Sequence, residues 1–211
     1  MNTPSSPAAI VDAGVQTLRL TVSAEAQARL LAYQDELSKW NVAYNLTAIR
    51  VPAEMAVKHL LDSLTLLPLV QGRVLDVGAG AGLPGIVLAI ANSDLRVSVL
   101  DSNGKKARFM RHVVRHLGLN NVEVIEQRVE AYENADGFDC IVSRAFATLA
   151  DFCDKTTHLL AEGGVWVAMK GKLDDQELAG RPAHVVIRET RRLQVPGLNE
   201  ERHAVVATLN K

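Results

Sequence analysis

Short runs of branched apolar residues recur along the chain after residue 72, separated by stretches whose apolar residues are spaced three or four apart. The runs predict strands at residues 73–77, 96–101, 121–127, 138–145, 164–170, 184–195 and 203–210. The last two strands are expected to pair antiparallel. Strands that alternate with helices are typical of a mostly parallel sheet with helices on both faces, so we expect an α/β fold.

The N-terminal third has helical rather than strand-like spacing. Residues 1–22, with two prolines, a glycine and few charges, are expected to form a loose leader. Ser23 is predicted to cap a helix, and Pro52 is predicted to open a second one. We therefore expect a leader and helical extension over residues 1–70 and a ligand-binding α/β domain over residues 71–211, together forming one compact unit.

The composition narrows the class of protein. A chain of 211 residues with 48% apolar and 22% charged residues is ordinary for a globular protein and excludes a disordered chain. A net charge of −1 argues against coating nucleic acid by bulk charge but permits a local basic patch. The chain shows no secretory leader pattern and no run near ~18 apolar residues. Because Cys140 and Cys153 form no CxxC pair, we expect a cytoplasmic protein.

A glycine-rich loop at residues 76–85 follows the first strand of the predicted sheet. Gly80, Gly82 and Gly85 satisfy the GxGxxG spacing, and Asp101 ends the next strand about 20 residues further on. Glycines at such a turn let the backbone approach a ligand closely. This arrangement fits a nicotinamide dinucleotide, whose ribose Asp101 would bind.

The same loop also fits S-adenosyl-L-methionine. Asp76 precedes the first glycine, where it can orient the loop or reach the methionine ammonium, and Asp101 again accepts from ribose hydroxyls. The carboxylate of Asp76 would be unfavourable near a pyrophosphate, because both groups are negatively charged. This position therefore favours the second cofactor. The sequence also lacks a tyrosine followed four residues later by lysine, the pair that a short-chain reductase needs.

Several motifs resemble one family. The strings DVGAGAGLPGIVLAI, VLDSNGKKARFM, QRVE and FDCIVSRAFA, with KWNVAYNLTAIR, HLLDSL, MKGK and ERHAVV, resemble the bacterial 16S ribosomal RNA guanine-N7 methyltransferases, also called glucose-inhibited division protein B. The resemblance spans roughly residues 36–207. One departure is Val42-Ala43, where a basic residue is expected.

The resemblance implies a class I, Rossmann-like methyltransferase fold with a seven-stranded sheet. It implies S-adenosyl-L-methionine as donor and N7 of one guanine in the decoding-region loop of 16S rRNA, free or in the small subunit, as acceptor. Carried over residue by residue, it places the cofactor contacts on Gly78, Leu83, Val129, Glu130 and Arg144. We also predict cofactor contacts at Asp76 and Gly80, from their positions in the glycine loop, and at Asp101, from its position at the end of the next strand.

The chemistry of the acceptor predicts the catalytic demands. Guanine N7 has an available lone pair, so the enzyme must mainly hold N7 and the methyl group in line and needs no obligatory base. Positive charge develops on the ring, and Asn45 and Asp62 are candidates to stabilise it. Arg144 and Lys170 lie at the ends of the fourth and fifth strands, where ligands of such sheets bind, and are predicted to contribute to catalysis.

Basic residues near the motifs are candidates for RNA contact. We predict this role for Arg128, Arg202, Lys170 and Lys172. The basic face of the helix at 105–116 is expected to be a solvated surface.

Four further expectations concern two aromatic residues, metal binding and the oligomeric state. Trp40 is expected to pack on the main domain, and Phe146 to stack on a base or to lie in the core. No metal site and a monomeric state are expected. A nicotinamide-dependent reductase and a cofactor-sensing RNA-binding protein without transfer activity remain the alternatives.

Overall fold

The computed structural model describes residues 6–144, 146 and 148–210. Within this part of the chain, seven strands form one sheet: β1 (Arg73–Val77), β2 (Arg96–Leu100), β3 (Val122–Ile125), β4 (Phe138–Ser143), β5 (Leu160–Lys170), β6 (Val185–Arg192) and β7 (His203–Leu209). Their order is β3-β2-β1-β4-β5-β7-β6. All seven predicted strands are confirmed, and residues 1–5, 145, 147 and 211 lie outside the described residues, including Ala145 of the SRAFA motif.

The pairing confirms the predicted topology. Strand β1 pairs parallel with both β2 and β4, and β5 continues the parallel series. Strand β7 inserts antiparallel between β5 and β6. The start of β5 was predicted wrongly, because residues 160–163 continue the strand rather than end the preceding helix. Gly163, at φ +74°, lets the backbone turn within that segment.

Eight α-helices connect or flank these strands in the described residues: α1 (Pro7–Thr17), α2 (Ala24–Tyr44), α3 (Pro52–Met55), α4 (Asp62–Leu64), α5 (Gly85–Ala91), α6 (Gly104–His116), α7 (Leu149–Thr156) and α8 (Asp175–Ala179). A π-helical segment, Ala56–Leu61, joins α3 to α4 without a break. Short 3-10 turns occur at Leu67–Leu69, Val129–Ala131 and Thr157–Leu159.

The expectation of a loose leader is wrong for its described part. Ser6 caps α1 by accepting a hydrogen bond from the Ala9 amide, and Pro7 occupies the first turn. Val11, Gly14 and Val15 have helical spacing and are buried against the rest of the protein. The predicted cap of α2 is confirmed, since Ser23 accepts from the Ala26 amide at 3.1 Å.

The sheet separates two layers of apolar side chains. Successive residues of a strand point to opposite faces, so Val74 belongs to one core and Leu75 to the other. The larger core contains the buried faces of α1, α2, α5 and α6, and the smaller one lies against α7. The N-terminal helices thus share a core with the glycine-rich loop and α5, which follow β1 in the chain.

Candidate functional site

The glycine-rich loop leaves the carboxyl end of β1 and turns directly into α5. Gly78 lies at φ +70°, and its amide and that of Ala79 both donate to the carbonyl of Leu100 at the end of β2. Asp76 is fully buried beneath the loop and accepts from the Gly85 amide at 2.7 Å. The predicted orienting role of Asp76 therefore has a direct geometric basis.

Asp76 is electrostatically unusual. Its Oδ2 holds Gly85, but Oδ1 has no hydrogen-bond partner among the described residues. Burial raises the pKa of Asp76 from 3.8 to about 7, although the Gly85 amide and the Arg144 guanidinium oppose the rise. The carboxyl therefore lies near the middle of its titration at neutral pH.

Asp101 stabilises the same loop from the end of β2. Its Oδ2 accepts from the Gly80 amide at 2.9 Å and lies 3.3 Å from Lys106 Nζ, while Oδ1 accepts from the Asn103 amide at 2.9 Å. A carboxylate offers about four acceptor positions. Three are already in use, so Asp101 can accept a hydrogen bond from about one ribose hydroxyl. The sequence predicted that it would accept from more than one.

A first cavity, of about 190 Å³, opens beside these two elements. It is lined by Val77, Gly78, Leu100, Asp101, Ser102, Gln127, Arg128, Val129, Glu130, Phe146 and Lys155. The valine, leucine and phenylalanine side chains supply an apolar wall, and the carboxylates lie at its edge. These groups fit an adenosine moiety, because the flat faces of adenine pack against apolar side chains and the ribose hydroxyls donate hydrogen bonds.

The structure brings four of the eight predicted cofactor residues to the first cavity. Gly78, Asp101, Val129 and Glu130 line the first cavity. Asp76, Gly80 and Leu83 shape the loop without lining the cavity. Arg128, predicted to contact RNA, lines this cavity instead of joining Arg202.

A second cavity has a volume of about 390 Å³. Arg144, Lys170 and Arg202 line it together with Asp62, and it shares no lining residue with the first cavity. Arg144 and Phe146 are two positions apart, yet Arg144 faces the second cavity and Phe146 the first. Arg144 and Phe146 therefore contribute to different cavities.

Asp62 connects two arginines that are distant in the sequence. Its side chain is only 5% exposed, and Oδ2 accepts from Arg144 Nη1 at 3.3 Å. Oδ1 lies 3.4 Å from Arg202 Nε as an ion pair without hydrogen-bond geometry. Burial raises the pKa of Asp62, and the two guanidiniums oppose that rise.

The π-helical segment carries His59 to the wall of the second cavity. His59 Nδ1 donates to the Lys58 carbonyl at 3.1 Å, so Nε2 accepts from the Thr47 hydroxyl at 2.8 Å. Burial and the nearby Arg144 lower the pKa of His59 to about 4. His59 is thus neutral at physiological pH and fixes the loop that contains Thr47.

The remaining predicted residues have different positions. Lys170 is largely buried, 2.7 Å from Glu177 Oε1, and also donates to the Phe146 carbonyl. Lys172 lies in the exposed loop after β5. Asn45 lies outside both cavities, at φ +50° in the turn that ends α2, where its side chain accepts from Arg50. The structure therefore does not bring Asn45 to either site.

Several relevant residues escaped the sequence interpretation. Tyr33 is fully buried and donates to the Ala81 carbonyl at 2.8 Å, linking α2 to the glycine-rich loop. Lys155 lies over the Phe146 ring at 5.9 Å from its centroid. Tyr33 and Ala81 are far apart in the chain, and Lys155 resembles an ordinary surface charge of α7. No local motif therefore signals either contact. Gln127, by contrast, lies within the QRVE string and could have been selected with Arg128.

The basic face of α6 is only partly a solvated surface. His112 Nε2 donates to the buried Glu36 carboxylate at 2.7 Å, and His116 lies 4.0 Å from the same group. Trp40 packs against Phe109 with ring centroids 5.7 Å apart, which confirms its predicted packing role. The two histidines therefore attach α6 to α2 rather than facing solvent alone.

Two further properties follow from the described residues. In residues 6–144, 146 and 148–210, no helix is long and apolar enough to cross a membrane. Within the same ranges, no three His, Cys, Asp or Glu side chains gather in a manner that could hold a metal ion.

Comparison with solved structures identifies the fold. TrmN from Thermus thermophilus superposes with a TM-score of 0.57 at 18% identity, over 70% of this chain and 48% of that one. A SAM-dependent methyltransferase from Aquifex aeolicus gives a TM-score of 0.54 at 19% identity, over 72% and 91% of the two chains. The predicted class I methyltransferase fold is therefore confirmed.

Comparison with known sequences identifies the family. Ribosomal RNA small subunit methyltransferase G of Neisseria meningitidis serogroup A is 50% identical over 92% of this chain and 94% of its own length. The protein of the same name from Chromohalobacter salexigens is 55% identical over 92% and 93% of the two chains. The GidB family model, described as rRNA small subunit methyltransferase G, matches residues 26–206. These matches exclude the dinucleotide alternative and confirm the resemblance seen in the motifs: the chain belongs to the rRNA small subunit methyltransferase G family.

Proposed function

We propose that this protein transfers a methyl group from S-adenosyl-L-methionine to N7 of a guanine in the decoding-region loop of 16S rRNA. The match of residues 26–206 to the family model carries the proposal, because that range includes every residue lining the two cavities. The proposal places the protein in the cytoplasm as a monomer, with the small-subunit RNA as its partner.

The first cavity supplies the groups that hold the methyl donor. Asp101 accepts from a ribose hydroxyl, and Val77, Leu100 and Val129 provide an apolar wall suited to the purine ring. Glu130 extends the polar rim. Asp76, Gly80 and Leu83 act indirectly, since they set the path of the loop that carries Gly78.

Methyl transfer to guanine N7 requires that the two substrates be positioned, and it requires no proton transfer before attack. When bound, S-adenosyl-L-methionine supplies a methyl group on a sulfonium, which is already activated for displacement. Guanine N7 attacks with a free lone pair, so the residues around it have to align the two atoms and exclude competing orientations. His59, with its low pKa and both ring nitrogens engaged, is consistent with a reaction that uses no histidine base.

The second cavity is the proposed approach for RNA. Arg144 and Lys170 lie at the carboxyl ends of β4 and β5, adjacent to the first cavity, and are assigned to alignment of the acceptor. Arg202 and the exposed Lys172 are assigned to RNA contact, and Arg128 to the boundary between cofactor and RNA. Because Asn45 lies outside both cavities, we assign it to the turn after α2.

A methyl-transfer assay tests the proposal. The full-length protein is incubated with methyl-labelled donor and either 16S rRNA or small subunits, and modified nucleosides are mapped by mass spectrometry. We expect 7-methylguanosine at one position in the decoding-region loop, and its absence in 16S rRNA from cells lacking the protein. Donor and RNA binding without transfer to either substrate would instead establish a cofactor-sensing RNA-binding protein.

A further inference from the structure

A third cavity, of about 470 Å³, lies beside α6 and carries a local excess of positive charge. Three guanidiniums and one carboxylate line it, which leaves two excess positive charges, although the whole chain has a net charge of −1. The side chains that line it belong to Trp40, Arg108, Arg111, His112, Arg115 and Glu126.

Exposed cations form a stripe along α6. Lys105, Arg108, Arg111 and Arg115 are all exposed, and we refer to them as the basic stripe. Their spacing of three or four residues places them on one side of the helix, over a length of ~15 Å at 1.5 Å per residue. Arg111 pairs with Glu126 at 2.6 Å, whereas the other three form no ion pair with any described residue.

The basic stripe does not stabilise α6. Like charges three or four residues apart on a helix repel each other. Lys105 lies in the first turn, where the helix dipole disfavours a cation, and that turn contains no acidic residue. Of the four residues, Arg115 alone lies in the last turn, where a cation is favourable. These charges are therefore better explained by an anionic partner than by the stability of the helix.

The third cavity adjoins the first cavity. Ser102 lines the first cavity, and Gly104 lines the third. The same relation recurs after β3, where Glu126 lines the third cavity and Gln127 the first. The two cavities therefore lie side by side near the carboxyl ends of β2 and β3, and a ligand in the third cavity lies next to the proposed donor site.

Aromatic side chains accompany the cations. Trp40 is partly exposed in the wall of the third cavity, and Arg108 Nη1 donates to the Tyr44 hydroxyl at 3.3 Å. Grooves that bind single-stranded nucleic acid combine cations, which follow the phosphates, with aromatic rings on which bases stack. This combination, next to a site assigned to a reaction on RNA, favours RNA over an acidic protein surface.

We propose that the basic stripe and Trp40 form a second RNA-binding surface, which holds an unpaired segment of the substrate RNA outside the methyl-transfer site. The stripe contacts phosphates, and Trp40 stacks on a base. Arginine suits the first role because its planar donor groups can contact phosphate oxygens in pairs. None of these residues lines the first or second cavity, so the surface contributes affinity rather than alignment. The inference rests on the proposed function for the identity of the RNA.

The first experiment removes two cations of the stripe that form no ion pair. Full-length wild-type protein is compared with Arg108→Gln/Arg115→Gln for binding to deproteinised 16S rRNA and to small subunits, at several salt concentrations. We expect the Kd for either RNA substrate to rise at least tenfold at low salt. The slope of log K against log salt should fall in magnitude by about two. The kcat at saturating RNA and the calorimetric Kd for S-adenosyl-L-methionine should stay within twofold of wild type.

Arg96→Gln/Arg188→Gln is the matched control. It removes the same charge from two exposed arginines that form no ion pair with the described residues. Arg96 begins β2 at its amino end, and Arg188 lies on the edge strand β6. This control should leave the RNA Kd within twofold of wild type and the salt slope unchanged.

The two tryptophans allow a second experiment that needs no variant. Trp40 is partly exposed, whereas Trp166 is fully buried. Acrylamide should therefore quench mainly the fluorescence of Trp40 in the free protein. Saturating 16S rRNA should lower the quenching constant at least twofold, because a stacked base covers the indole.

Specific results would overturn the inference. Wild-type RNA affinity and salt slope in Arg108→Gln/Arg115→Gln would do so while leaving the proposed function intact, as would unchanged quenching in RNA-saturated protein. A loss of affinity for small subunits alone would assign the stripe to an acidic protein partner instead. A wild-type protein that binds 16S rRNA through this surface but methylates none would support the inference and overturn the proposed function.

Discussion

Replacing Asp76 with asparagine should make the protein more stable at neutral pH and leave it nearly unchanged in acid. Asp76 is fully buried, and its pKa in the folded protein is about 7 against 3.8 for an ordinary aspartate. Between pH 3.8 and about pH 7, Asp76 is ionised in the unfolded chain but keeps its proton in the folded protein. Rising pH therefore favours unfolding across this window, and the effect is complete above pH ~7.

The magnitude follows from the two pKa values. Each unit between them corresponds to about 1.4 kcal/mol, so the difference between 3.8 and about 7 corresponds to about 4 kcal/mol at pH 8. Asparagine has nearly the same shape and can still accept from the Gly85 amide, so the contact that orients the loop is preserved.

Urea unfolding of both proteins at pH 4, 5, 6, 7 and 8 measures this effect. The quantity that matters is the difference between the variant and wild-type free energies of unfolding, since other titrating groups contribute equally to both. This difference should rise by about 1.4 kcal/mol per pH unit from pH 4 and level off near pH 7. Parallel stability curves from pH 4 to 8 would refute the assignment of a raised pKa to Asp76.

Two further substitutions and one pH profile have defined outcomes. Tyr33→Phe leaves the buried Ala81 carbonyl without its donor and should lower the free energy of unfolding by about 1–3 kcal/mol, measured by urea titration; a loss near zero would show that the carbonyl finds another partner. Asp101→Asn weakens the hold on the Gly80 amide and removes a charged acceptor for ribose, so the calorimetric donor Kd should rise about tenfold; an unchanged Kd would contradict the assignment. Single-turnover methyl transfer at saturating substrates should be nearly flat from about pH 6 to 9, because N7 needs no base and His59 is neutral there. A rise of slope one that disappears in a histidine variant would indicate an acceptor atom that carries a proton.

Local patterns in the sequence predicted the sheet because the central strands β1, β2 and β4 consist mostly of apolar residues that are buried in the fold. The glycine spacing and Asp101 located the cofactor edge for the same reason, since a tight turn and a strand-end carboxylate are features of adjacent residues. Helix α1 was missed because the two prolines and low charge of residues 1–22 resemble a loop. Only the burial of Val11 and Val15 against distant helices makes it a helix in the fold.

The second site shows where sequence reasoning reaches its limit. Asp62, Arg144 and Arg202 belong to three segments, and no spacing in the chain relates them. Asp62 and Asn45 were equivalent candidates by residue type, but packing separated them, burying one between two arginines and leaving the other in an exposed turn. Lys170 followed its strand as expected, yet its ion pair with Glu177 depends on the position of α8.

The core shared by the N-terminal helices and α5 affects how the protein can fold during synthesis. Helix α2 leaves the ribosome before α5, but its buried residues Leu30, Tyr33 and Leu37 pack in the same core as Ile86 and Val87 of α5. Until residue 91 has emerged, these side chains lack that part of their native surroundings. The nascent N-terminal helices therefore stay accessible to chaperones for at least the time needed to translate β1 and α5.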